Sequence, residues 1–107
     1  MVRRDISMQF VYEPALLEHM EKKGLNIIVV EMVEVSSSDL EISELHVQLV
    51  NEKRASFFCE KKDYRPVETE HGKVLLPRYP LTMEETVTFG LKKILFVPCV
   101  THKGIKI

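Results

Sequence analysis

At 107 residues, the chain has the length of one domain with a single hydrophobic core. Its 45% apolar and 29% charged residues give the balance of a soluble globular protein, not of a disordered chain. No apolar run nears the roughly 20 residues that cross a bilayer, and a net charge of −1 gives no general attraction for nucleic acid or anionic membrane.

The opening MVRRDISMQF carries charges and no continuous apolar core, so no secretory signal is read there. With only Cys59 and Cys99, a reducing cytoplasm with free thiols is the expected setting. Charge is uneven along the chain. Residues 1–53 hold five Lys/Arg against ten Asp/Glu, and residues 54–107 hold ten against six. The two halves either pair within one fold or form an acidic and a basic face that help chains associate.

Residues 1–7 are expected to be a polar extension and residues 8–107 a single domain. Met8 to Tyr12 alternates and predicts a strand. Glu13 to Gly24, EPALLEHMEKKG, predicts a helix. Pro14 suits its first position, where a missing N–H costs nothing. Gly24 suits the left-handed residue just past the end, which brings Met20 and Leu25 together in a Schellman closure. Tyr12 and Leu17 fall at staple positions, and Leu16, Leu17 and Met20 form an apolar stripe. Glu18 and Lys22 lie four apart outside it, and His19 reads as a surface residue.

Leu25 to Val35 is rich in Val and Ile without early alternation, which predicts a central strand covered on both faces. Ser36 to Asp39 predicts a turn. Glu44 to Leu49 alternates, with Leu45, Val47 and Leu49 on one face, as a half-buried strand does. Asn51 to Arg54 then reads as a turn and Ser56 to Lys61 as a strand. The charged bend KKDYRP follows, with Pro66 holding Arg65 extended. His71–Gly72 marks a turn before a short strand from Lys73 to Leu76. Pro77 and Pro80 place the next segment at an edge or in a crossing loop. Glu85 to Leu91 and Ile94 to Val97 read as two strands, with Pro98 bending or ending the second. His102 to Gly104 reads as a turn. The class is α+β: one main helix on a mostly antiparallel, bent sheet or incomplete barrel.

Two stretches together resemble a known family. MQFVYEPALLEHMEKKG at Met8 to Gly24, and GKVLLPRYPL, ETVTFGLKKILFVP and THKGIKI between Gly72 and Ile107, resemble the small HesB-like proteins, in particular the CC/Se motif branch. The resemblance implies a β-rich fold with one main helix. HesB-like iron–sulfur carriers place one cysteine soon after the second strand and a close pair near the C-terminus. The CC/Se branch has adjacent Cys or selenocysteine after that strand. Here that place holds Ser36, Ser37, Ser38 and Asp39, and only Cys99 lies near the C-terminus. No ligand set carries over, and no cofactor is expected.

The soft-ligand candidates are Cys59, Cys99, His102 and His71. Zinc needs three or four such ligands converging. Cys99 and His102 are three apart, which on a regular strand puts them on opposite faces. They meet only if Pro98 or Gly104 bends the chain. Cys59, beside Phe57 and Phe58, reads as a buried apolar thiol. The serine turn lacks the glycine of an anion nest and the G-x-S-x-G elbow of a nucleophile. Lys61, Lys62, Tyr64 and Arg65 combine cations with an aromatic, as single-strand binders do, but Glu60, Asp63, Glu68 and Glu70 interleave them. Glu84–Glu85 reads as a solvent-facing pair.

The expectation is a non-enzymatic cytoplasmic module that binds a protein partner or itself, with a homodimer through strand or face pairing, no nucleic acid and no membrane. Two other classes stand beside it: a metal- or thiol-dependent protein using Cys59, Cys99 and His102, and a nucleic-acid accessory module using the 61–65 bend.

Overall fold

Pro14 and Gly24 bracket the first helix as their backbone chemistry requires. In a computed structural model, which describes residues 9–36, 41–78 and 81–106, strand β1 (Gln9–Tyr12) leads into helix α1 (Pro14–Lys23). The Glu13 N–H donates to the Phe89 carbonyl at 2.9 Å, tying the helix start to a neighbouring strand. At the other end Gly24 has φ 68° and ψ 29°. Its N–H donates to the Glu21 carbonyl at 3.2 Å, and the Leu25 N–H to the Met20 carbonyl at 3.0 Å. Those two bonds make the Schellman closure. Leu16 and Met20 are buried, and Leu17 packs beside them.

Strand β2 (Ile27–Ser36) pairs antiparallel with β3 (Glu41–Val50). Ile27, Ile28, Val29 and Val30 are all buried, as expected of a strand covered on both faces. The turn expected at Ser36–Asp39 falls outside the described residues beyond Ser36, as does the N-terminal extension.

The segment after β3 differs from expectation. Residues read as a turn and a strand form helix α2 (Glu52–Lys61). Asn51 is its N-cap, with Oδ1 accepting from the Arg54 N–H at 2.8 Å. Ala55 and Phe58 are buried, and Cys59 packs beside them. The spacing of three and four is helical, and capping plus packing outweighs the strand propensity of Phe57–Phe58–Cys59. Among the described residues the fold therefore has two helices, where one main helix was expected.

Strand β4 (Arg65–Thr69) and strand β5 (Gly72–Leu76) form a hairpin, and β5 also pairs parallel with β2. Pro66 lies in an edge strand, where a missing donor is tolerated. The link beginning at Pro77 carries the chain to the other sheet.

There, β6 (Thr82–Ile94) and β7 (Val97–Lys106) form a long hairpin, and β1 joins β6 in parallel. Leu95 and Phe96, read as part of a strand, are its turn. Pro98, expected to bend or end that strand, sits inside β7 opposite Lys93. In a two-residue hairpin this is the pair that exchanges no hydrogen bonds, so proline fits. The turn expected at His102–Gly104 is also part of β7. Gly104, at φ 87°, lies where the register shifts between Met83 and Thr88.

Two sheets result, ordered β1-β6-β7 and β3-β2-β5-β4. The second is the middle layer of the molecule. On one face, Ile27, Val29, Val50 and Leu75 pack with Ala55 and Phe58 of α2 and with Tyr64. On the other, Ile28, Val30, Val74 and Leu76 pack with Leu16 and Met20 of α1 and with Val87, Phe89 and Ile105 of the first sheet.

Candidate functional site

Cys59 lies on α2, half-buried at the margin of the smaller core. Cys99 lies on β7, also half-buried, with Sγ donating weakly to the Val97 carbonyl at 3.6 Å. Both are free thiols. Cys59 is therefore not the fully buried thiol that Phe57 and Phe58 beside it suggest. Because α2 and β7 belong to layers on opposite sides of the β3-β2-β5-β4 sheet, the two thiols are kept apart by that sheet.

His102 is three residues from Cys99 on an unbroken strand. Its register partner is the buried Phe89, whereas Cys99 pairs with Lys92 on the opposite face of the sheet. Pro98 does not bend β7 and the Gly104 shift lies beyond His102, so the convergence that a metal would need is not made. Burial lowers the His102 pKa below the ordinary histidine value. His71 sits in the turn between β4 and β5, its ring edge-on to Tyr12 at 5.1 Å. Among the described residues, no three His, Cys, Asp or Glu side chains gather as a metal would require.

Tyr12 and Thr69 instead join the two sheets. The Thr69 hydroxyl donates to the Gly72 carbonyl at 3.1 Å, and the Tyr12 hydroxyl donates to Thr69 Oγ1 at 2.8 Å. Burial raises the Tyr12 pKa above the ordinary tyrosine value. His71 closes one end of a cleft of about 590 Å³ whose other walls are Leu17, Met20, Glu21, Gly24, Leu25 and Asn26. That is a helix-end groove with one imidazole and one carboxylate, too sparse for a catalytic set. Cys99 and His19 line a second cleft with Lys23, Val47 and Leu49, so His19 is half-buried and not simply a surface residue.

The bend at 61–65 loses its aromatic. Tyr64 is buried against Phe58, and its hydroxyl accepts from the Met32 N–H at 3.2 Å. Lys62 Nζ lies 3.6 Å from Glu31 and over the Phe58 ring. A base cannot stack on a ring that is already in the core. Glu84 and Glu85 are both exposed on β6, as expected.

The feature that sequence reading missed is the β6–β7 turn. Leu95 is 88% and Phe96 95% exposed. The pattern ILFV concealed it by reading as a strand. The signal available was the length of the flanking segments, since the chain from Thr82 to Lys106 must reverse somewhere to pack.

No family model matches the chain, and no curated protein matches it. Among solved structures, it is similar to SufA of Escherichia coli, a protein involved in the biosynthesis of iron–sulfur clusters. The TM-score is 0.52 at 12% identity, over 94% of this chain and 85% of that one. The likeness is one of fold, and it supports the HesB-like resemblance carried by the two ends of the chain.

Proposed function

We propose that this HesB-like fold serves as a non-enzymatic binding module, for a protein partner or for a second copy of itself, on the CC/Se branch of the family but without its thiols. The observation that supports this reading most is the separation of the soft ligands. An iron–sulfur cluster takes four cysteines, or two cysteines and two histidines in the Rieske arrangement. Here the middle sheet separates Cys59 from Cys99, and β7 turns His102 away from Cys99. The residues present do not fit a cluster held within one chain. The place after β2 where the branch carries thiols holds hydroxyls and a carboxylate in sequence, which are poor ligands for soft metals.

The reading places the protein in the cytoplasm, which its two free thiols support; no helix among the described residues is long and apolar enough to cross a membrane. Among the described residues, β1, β7, β3 and β4 are the edge strands of the two sheets, and edge strands are where pairing with another chain is expected. Sedimentation velocity across a concentration series tests self-association. The expected result is a weight-average mass rising toward two protomers. A strict monomer at high micromolar concentration would remove the second copy from the reading.

A further inference from the structure

The β6–β7 hairpin ends in four consecutive apolar residues. Ile94, Leu95, Phe96 and Val97 are 52%, 88%, 95% and 58% exposed. Leu95 and Phe96 also have φ of 52° and 68°, the left-handed values of a two-residue hairpin turn. Asn-Gly fills such a turn with the least strain, and bulky side chains are disfavoured there. Strain and exposure thus coincide at the same two residues. A chain that needed only to reverse direction gains nothing from this choice.

The apolar character runs around the whole apex. Ile94 and Val97 are a cross-strand pair on the face that carries Lys92 and Cys99. Phe96 leans to the other side, lining a cleft against α1 with Lys93 and Pro98. Leu95 stands between. One step below the apex, Lys92 and Lys93 are exposed, and strand alternation puts them on opposite faces. Lys22 of α1 joins Lys93 in the cleft, against the single carboxylate of Glu18. An apex apolar on both faces, above lysines on both faces, suits a medium that surrounds it. Two residues of strand span about 7 Å, within the roughly 5–10 Å to which interfacial elements enter the boundary of headgroups and acyl chains.

We propose that the Ile94–Val97 apex inserts into the surface of an anionic phospholipid bilayer, with Lys92 and Lys93 at the level of the lipid phosphates. The net charge of −1 argued against a membrane, but the charge that meets the lipid is the local one. Insertion at the surface needs no spanning segment.

The test is flotation of the full chain with vesicles of equal parts phosphatidylcholine and phosphatidylserine, and with phosphatidylcholine alone. The protein floats with the mixed vesicles and much less with the neutral ones. Lys92→Gln and Lys93→Gln each weaken binding about fivefold. The pair Leu95→Asn/Phe96→Gly weakens it by at least about tenfold. Because Asn-Gly suits this turn, that variant keeps its circular dichroism and an equal or higher thermal midpoint. The chain has no tryptophan, so Phe96→Trp gives a single reporter whose emission shifts to the blue on the mixed vesicles. Protein that stays unbound, an unshifted Phe96→Trp emission, or an Asn-Gly variant that floats like the parent overturns the proposal. So does a lipid-free dimer that the Asn-Gly variant abolishes, which would assign the apex to a second copy.

Discussion

Replacing Gly24 with alanine isolates one backbone angle. The residue sits at φ 68°, and a Cβ built there meets no atom within 4 Å. The substitution therefore adds no clash, and its cost is the left-handed penalty alone, about 1–2 kcal/mol. Alanine also restricts the unfolded chain, which returns up to about 1 kcal/mol. A net loss of about 1 kcal/mol remains, or about 4–8 °C in midpoint for a domain near this size. Gly104→Ala provides the contrast. At φ 87° its Cβ would collide with the Thr86 carbonyl oxygen, so strain and collision add. It should cost clearly more than Gly24→Ala, about 3 kcal/mol or above. Gly24→Asn should cost less than Gly24→Ala, because asparagine tolerates the left-handed region. Urea unfolding followed by circular dichroism ranks the three. A Gly24→Ala midpoint equal to or above the parent's would refute the closure at the end of α1.

Two further outcomes follow from other parts of the fold. Asn51→Ala removes the side-chain acceptor for the Arg54 N–H and should cost about 1 kcal/mol in urea unfolding, while Asn51→Asp stays near the parent. His102 has a folded pKa depressed by burial, so the native state resists its protonation. Its contribution to stability is complete above the ordinary histidine value of 6.5 and is lost as pH falls from there through the lower folded value. A pH series of midpoints should show His102→Gln declining less than the parent below that pH, and parallel curves would count against a buried imidazole.

Much of the fold was legible because local signals agreed with tertiary placement. Pro14, Gly24 and the Leu16/Met20 spacing marked α1, and the unbroken apolar run at Ile27–Val30 marked a strand covered on both sides. Asn51 to Lys61 misled because Phe57, Phe58 and Cys59 carry strand propensity, while the decisive signals were a cap and the Ala55–Phe58 spacing. Ile94–Val97 misled for a related reason. Neither Leu95 nor Phe96 belongs to the residue types that ordinarily announce a turn with positive φ, so only the long hairpin around them reveals it. At the candidate site, the three-residue spacing already separated Cys99 from His102. The separation of Cys59 from Cys99 depends on which layer each element joins, which local patterns do not encode.

On the function proposed above, the protein carries no metal or cluster of its own. Elemental analysis for iron and zinc, on protein purified anaerobically under reducing conditions, tests it directly. The expected result is a metal content well below one atom per chain, with Cys59→Ala and Cys99→Ala changing stability only. A symmetric pair of chains bringing one Cys99 each to a shared site would give a different answer. One metal atom per chain or per pair of chains, lost on Cys99→Ser, would overturn this and make the chain a metal- or thiol-dependent protein.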